Sequence, residues 1–258
     1  MRTSGLIALA LIAALAVASA AQAEKEIEGN LVVSFDGGIK PRALPRVGTA
    51  PVAVTIDSSF ATTDGSEPLP QLRQIAIGIN KGGRIFDRGL PTCQVRRIQP
   101  STIAAARRIC GGAIVGSGNV RLRVELANQA PFTFSGPMLV FHAKRSGGSR
   151  RMLAQVYGRR PPSAFVLPFR IVEKGGTFGT LIKTTLPKAA RQWAYVTHFE
   201  MKLRRVYTYK GRRHSYISAG CAAPAGFPGA VYPFARAKFG FAGGTRVTTT
   251  LVRDCTVR

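Results

Sequence analysis

Apolar and polar residues alternate along most of this chain with the period of two that marks a β-strand burying one face. Leu31, Val33 and Phe35 alternate with Val32 and Ser34, a first strand behind a short acidic lead-in of Glu24, Glu26 and Glu28. Asp36-Gly37-Gly38 reads as a turn, and Lys40 to Pro45 as an irregular extended stretch whose two prolines cannot donate to a ladder. Val52, Val54 and Ile56 give a second strand, and Ser58 to Pro70 a polar, turn-rich connection. Ile75, Ile77 and Ile79 form a third strand closed by Asn80-Lys81-Gly82-Gly83, and Arg84 to Leu90 is expected to return toward Cys93 as a fourth.

The period then changes. Between Cys93 and Gly118 the spacing predicts a short helix: Ser101 after Pro100 as its cap, Ile103, Ala106 and Cys110 at i, i+3 and i+7, and Gly111-Gly112 as its end. Arg107 and Arg108 in its last turn complement the negative end of the helix dipole. Alternation resumes at Val120, Leu122, Val124 and Leu126, set against Arg121, Arg123 and Glu125. Pro137 to Phe141 is apolar on both parities, the mark of a strand buried on both faces.

A meander follows. Lys144 to Arg151, with its Ser-Gly-Gly-Ser centre, has the composition of a linker, yet apolar runs flank it closely on both sides, so a β-hairpin is preferred. The expected organisation is a leader over 1–23 and one β-rich domain over 24–258, with 144–151 as the place where it would divide. Arg159-Arg160-Pro161-Pro162 and Lys174-Gly175-Gly176 are turns between neighbouring strands. After Leu186-Pro187 the odd residues Trp193, Tyr195, Phe199, Met201 and Leu203 form an apolar face. Lys210-Gly211 makes a tight turn, and the last two strands, Val231 to Phe241 and Val247 to Arg253, meet at Gly243-Gly244. The fold class predicted is all-β and mostly antiparallel, a sandwich or open barrel with one short helix and two disulfides.

The N-terminus places this fold in a compartment. Arg2 precedes an uncharged run from Leu6 to Ala18, and small residues follow at Ala18-Ser19-Ala20 and Ala21-Gln22-Ala23, as in a secretory signal peptide. The run falls short of the roughly 20 apolar residues that span a bilayer, no later segment approaches that length, and no cysteine follows it for lipid attachment. A secreted or envelope-associated product is therefore expected. Four cysteines, Cys93, Cys110, Cys221 and Cys255, allow three pairings, and no Cys-x-x-Cys spacing suggests zinc or thiol redox chemistry. Sequential pairing, Cys93 with Cys110 and Cys221 with Cys255, is the expectation, suited to an exported chain.

Charge adds an asymmetry. The net charge is +25, with 27 Arg and 10 Lys among 37 basic residues. From Glu24 to Ala143 there are 14 basic and 9 acidic residues, and from Lys144 onward 22 and 3, so the basic character belongs to the second half.

Leu90-Pro91-x-Cys93, the run Cys110-Gly111-Gly112-Ala113-Ile114-Val115-Gly116-x-Gly118, Tyr209-Lys210-Gly211 before Ser215-Tyr216, and the closing Arg253-x-Cys255 together give the chain a familiar outline. It resembles a group of exported, β-rich actinobacterial proteins without a known activity. The resemblance covers most of the chain after the leader and implies no cofactor, substrate or catalytic residue.

The chemical motifs are few. The glycines from Gly111 to Gly118 follow a helix and enter a strand, the reverse of a phosphate-binding loop, and no lysine holds the motif position. His142, His198 and His214 have no spacing for a triad or a metal, and no Gly-x-Ser-x-Gly elbow exists. His198 and Glu200, on one strand face, are the best acid–base pair on offer, with a solvated strand face as the plainer reading. A hydrolase would draw on Asp57, Asp64, Glu67, Glu125, Glu173 and Glu200, none singled out by a motif. Asp64-Gly65-Ser66-Glu67 lacks the spaced ligands of a calcium loop.

What stands out is the hairpin from Lys202 to Tyr216. Lys202, Arg204, Arg205, Lys210, Arg212, Arg213 and His214 interleave there with Tyr207, Tyr209 and Tyr216. A two-residue turn at Lys210-Gly211 would set Tyr209 opposite Arg212, Tyr207 opposite His214 and Arg205 opposite Tyr216, giving an aromatic and basic face. Guanidinium forks bind anions bidentately and tyrosine rings stack on sugars or bases. The leading expectation is a non-catalytic protein whose basic half binds an acidic envelope polymer, with no cofactor and no specific nucleic-acid recognition. An apolar-ligand carrier of barrel type and a hydrolase with dispersed carboxylates are the alternatives.

Overall fold

The computed structural model describes residues 23–65, 69–187 and 193–258, so the leader expected at 1–23, apart from Ala23, and the candidate Glu67 lie outside the described residues. In chain order the strands are β1 (Glu24–Glu28), β2 (Leu31–Lys40), β3 (Ala43–Leu44), β4 (Ala50–Pro51), β5 (Ala53–Thr62), β6 (Leu72–Ile79) and β7 (Gly83–Ile85). Helices α1 (Val95–Ile98) and α2 (Ile103–Cys110) come next, then β8 (Ile114–Val124), β9 (Phe132–Ser146), β10 (Ser149–Arg159), β11 (Pro162–Glu173) and β12 (Thr180–Thr185). The chain ends with β13 (Ala194–Leu203), β14 (Val206–Tyr209), β15 (Arg212–Ser215), β16 (Ile217–Ala219), β17 (Gly229–Phe241) and β18 (Arg246–Val257).

Thirteen of these strands form one sheet in the order β1-β2-β5-β13-β8-β9-β10-β11-β12-β6-β17-β18-β3, while β4-β16-β7 and β14-β15 form two small sheets of their own. All pairs in the large sheet are antiparallel except β18 with β3. Because β3 continues directly from β2, the end of the order lies against the continuation of its beginning, and the sheet curls into an open barrel. Thr256 N–H donates to Arg42 O at 3.1 Å and Arg258 N–H to Leu44 O at 3.0 Å across that seam. Arg253, buried on β18, donates from Nε to Gly37 O on β2 at 2.7 Å and pairs with Asp36.

Inward-facing residues of the curled sheet make up the main core. Phe60 on β5 sits between Phe199, Phe239 and Phe241, with ring centroids 6.2, 5.1 and 5.7 Å away. Outward positions carry Arg121, Arg123, Lys183, Lys202 and Lys238. That polarity, apolar inside and charged outside, is the reverse of a porin wall. Met138 to Phe141 is buried throughout, as its pattern predicts: Met138 and Val140 face the barrel interior, and Leu139 and Phe141 face a second cluster.

The second cluster is the helical layer. Ile98, Ala106, Cys110 and Ala113 pack on Leu139, Phe141, Leu153 and Val166 of the outer barrel face. The buried Gln155 side chain on β10 donates to Ile98 O at 3.2 Å and Ser101 O at 2.6 Å and pins the layer in place. Thr102 caps α2, its hydroxyl accepting from Ala105 N–H at 3.2 Å, so the cap lies one residue beyond the Ser101 expected. The two disulfides are the sequential ones, Cys93–Cys110 joining α2 to the strand edge and Cys221–Cys255 tying the loop after β16 to β18. They fit an oxidising, extracytoplasmic compartment.

Several local readings change. Glu24 to Glu28 is a paired strand, because Glu24, Lys25 and Glu26 find ladder partners in Phe35, Ser34 and Val33. Asp36 to Gly38 stays extended, since pairing of Gly37 with Ile56 and Gly38 with Thr55 continues the ladder that a turn would break. Ser58 to Thr62 belongs to β5, where burial of Phe60 outweighs the polarity around it. Of Arg84 to Leu90 only β7 is strand, in the small sheet. In β13 a bulge at Thr197, between Val196 opposite Leu122 and His198 opposite Arg121, shifts the inward parity. Val196 therefore joins Phe199, Met201 and Leu203 inside, in place of the Tyr195 that strict alternation predicts.

The stretch 144–151 is a hairpin, β9 turning into β10 through Gly147 and Gly148, both at positive φ. Gly118 shows why the glycine run enters a strand. A Cβ there would clash with Glu200 O on β13, so only glycine lets the two strands approach.

Candidate functional site

The barrel is not filled to its centre. A cavity of about 730 Å³ lies between the walls formed by β8, β9, β10, β11 and β13, with Leu122, Phe134, Val156, Phe169, Phe199 and Met201 among the residues that line it. Pro161, Pro187 and Trp193 are exposed residues of its lining and mark its mouth. A second cavity of about 340 Å³ continues along the interior toward the small three-stranded sheet, lined by Ile39, Val54, Ile56, Leu203, Ile217 and Phe234. Ile77 and Met201 line both, so the two are neighbouring compartments of one apolar interior.

A polar cluster lies between the segment after β7 and the β9–β10 hairpin. Asp87, 6% exposed in its side chain, lies 3.2 Å from Arg145 and 3.3 Å from Arg150. Arg150 also pairs with Glu173 at 2.8 Å. His142 and Tyr216 face the same cluster, ring centroids 6.3 Å apart, and neither the His142 Nδ1 nor the Tyr216 hydroxyl has a partner among the described residues. Burial lowers the His142 pKa below its ordinary 6.5, Asp87 opposes that shift, and Arg145 and Arg150 reinforce it. Burial, with Asp87 adding to it, raises the Tyr216 phenol above its usual range.

Outside this cluster lies a polar pocket of about 670 Å³ where β7, β15 and the ends of β11 and β12 meet. Lys81, Arg84, Arg150, Lys174 and Arg213 line it, with Glu173 as the carboxylate among them. Arg150 is already paired. For Lys81, Arg84, Lys174 and Arg213 there is no carboxylate within ion-pair distance among the described residues.

No protein-family model, curated protein or solved structure matches this chain.

The predicted hairpin exists, and the structure gives its aromatic side a different use. Tyr209 pairs with Arg212 and Tyr207 with His214, across a turn in which Lys210 and Gly211 both have positive φ. Tyr216 N–H donates to Arg205 O at 2.8 Å. The aromatic face lies on the segment Phe86 to Gly89. His214 stacks on Phe86 at 4.6 Å, and the Tyr207 hydroxyl donates to Phe86 O at 3.2 Å and Arg88 O at 2.9 Å. Burial and the nearby Asp87 and Tyr209 push the Tyr207 phenol up to about 12. The Tyr209 ring occupies the space a side chain on Gly89 would need, and Tyr216 is fully buried in the core. Lys202, Arg204, Lys210, Arg212 and Arg213 remain exposed, and Arg205 is half-buried.

Elsewhere His198 Nε2 lies 2.9 Å from Asp57 Oδ2 on the outer face of the barrel, a cross-strand pair rather than one with Glu200. Glu125 pairs with Arg123 and Glu173 with Arg150, each in its own ion pair. No group of three or more metal-ligating side chains occurs among the described residues. None of their helices is long and apolar enough to cross a membrane. Asp87, Arg145 and Arg150 drew no attention in the sequence. Arg84 to Leu90 reads as a strand in the sequence, and only the β9–β10 hairpin folding against it surrounds the Asp87 carboxylate with guanidinium groups, Arg145 from β9 and Arg150 from β10.

Proposed function

We infer that this protein binds an apolar or amphiphilic small molecule inside its curled sheet. The observation that carries the reading is the size and lining of the interior cavity. Its volume of about 730 Å³ lies within the roughly 300–1,000 Å³ usual for small-molecule sites. Occupation by water leaves Leu122, Phe134 and Phe199 hydrated, whereas an apolar occupant removes that surface from water.

Trp193, the single tryptophan of the chain, lines the mouth and supplies the readout. Titration with a long-chain fatty acid should change its emission saturably. Ala154 is buried on β10 and faces the cavity. Ala154→Trp should obstruct the space and weaken binding about tenfold or more, followed by calorimetry because the new indole also fluoresces; a tenfold loss corresponds to about 1.4 kcal/mol. Absence of saturable binding, or affinity unchanged in a folded Ala154→Trp variant, would overturn the reading.

A second reading is supported by the exposed cations of the hairpin: contact with an acidic polymer of the cell envelope. Retention on an immobilised polyanion that falls steeply with salt, and drops when Arg212 and Arg213 become Ser, is the expected result. Salt-insensitive retention removes the hairpin from the account.

A further inference from the structure

We propose that the basic end of the interior is a headgroup site, so that the ligand is an anionic amphiphile with its chain in the barrel and its phosphate or similar anion among Lys81, Arg84, Lys174 and Arg213. This rests on the apolar-ligand reading and adds the polar half of the molecule.

Adjacency is the first observation. Lys81, Gly83, Arg84, Ile85 and Thr180 line both the smaller apolar cavity and the basic pocket outside it. Apolar and cationic spaces therefore adjoin at β7, where the proposed ligand would pass from one to the other.

The second observation is the free edge of β7. This strand pairs with β16 on one side only. Phe86 N–H donates to Tyr216 O and Gly220 N–H to Gly82 O, so the even-numbered residues bond toward β16. Ile85, which borders both cavities, lies between them and turns its N–H and C=O away from β16. A backbone donor at that boundary is suited to an anionic oxygen.

The third is unbalanced charge in a concave space. Arg150 is held between Asp87 and Glu173, which leaves four cations around the pocket without a carboxylate among the described residues. Charge-assisted hydrogen bonds to a phosphate would satisfy them, and Arg84 and Arg213 present planar forks for bidentate contact.

The test is calorimetry of the oxidised protein with decyl phosphate, decanol and inorganic phosphate as probes. At about 0.15 M salt decyl phosphate should bind at least about tenfold more tightly than decanol. The advantage should shrink to within about threefold in an Arg84→Ser/Arg213→Ser variant while decanol affinity is unchanged. Both arginines are exposed, so the barrel should keep its circular dichroism. Lys174→Glu, on the exposed turn after β11, is an independent second variant with the same expected direction. Equal binding of decyl phosphate and decanol would overturn the headgroup site and leave the apolar interior standing. Inorganic phosphate binding as tightly as decyl phosphate would also overturn it, in favour of a free-anion site. Failure of both decyl compounds to bind would sink the interior reading along with it.

Discussion

Arg253 is the side chain on which the seam of the barrel most depends, and replacing it tests that closure. Its side chain is 6% exposed, while its partner Asp36 is 45% exposed. It donates from Nε to Gly37 O across the seam and from one terminal nitrogen to Val252 O on its own strand, each at 2.7 Å. In Arg253→Ala, loss of two buried methylenes costs about 1.6 kcal/mol at about 0.8 kcal/mol each. Loss of the seam contacts adds about 1.5–3 kcal/mol for a hydrogen bond with a charged partner. Two effects reduce the total: Asp36 is open enough to regain water, and the variant no longer bears the several kcal/mol needed to desolvate a guanidinium. The expected net loss is about 2–4 kcal/mol, a fall in Tm of about 5–15 °C at about 2–4 °C per kcal/mol for a chain of this size. Arg253→Met keeps much of the stem and should lose about half as much, separating packing from charge. Urea and thermal unfolding followed by circular dichroism give both numbers. A loss below about 0.5 kcal/mol in the alanine variant would refute the reasoning and shift the closure of the seam to the β18–β3 ladder.

Two further predictions concern the polar cluster beneath β7. Tyr216→Phe removes a buried hydroxyl that has no partner among the described residues. Stability should stay level or rise by up to about 1–2 kcal/mol; a loss beyond about 1 kcal/mol in urea would mean that the hydroxyl is satisfied. His142 is held neutral in the fold with its pKa below 6.5. The unfolded chain then binds more protons as pH falls through that value, so the stability His142 contributes is complete above about pH 7 and drains away on acidification. The urea midpoint should drop between about pH 7.5 and 5.5, and drop less in His142→Gln; identical slopes would rule out His142 as the source.

The outcome at particular residues shows which physical terms act locally. Alternation at Val120 to Val124, double-sided apolarity at Met138 to Phe141, the α2 register and the turn at Lys210-Gly211 are short-range patterns, and each appears in the structure where the residues place it. The misreadings at Asp36 to Gly38, Ser58 to Thr62 and Tyr195 share one cause. There a cross-strand partner distant in sequence outweighed local propensity: the β5 ladder, the aromatic cluster around Phe60, and the Thr197 bulge opposite β8.

The site divides the same way. The tyrosines of the hairpin were legible as a motif, but whether an aromatic row faces solvent or another segment depends on what folds against it, and Phe86 to Gly89 does. The apolar residues that line the cavity looked like ordinary core, because strand alternation reveals that a side chain points inward and says nothing about how far away the opposite wall stands. Period, turn chemistry, cysteine placement and charge are properties of neighbours along the chain, and the amino-acid order alone determined a disulfide-stapled, antiparallel β-protein with a basic second half. The curl of the sheet, its seam at Arg253, the cavity at its centre and the gathering of Lys81, Arg84, Lys174 and Arg213 at one end depend on distances between residues far apart in the chain, and only the tertiary structure decided them.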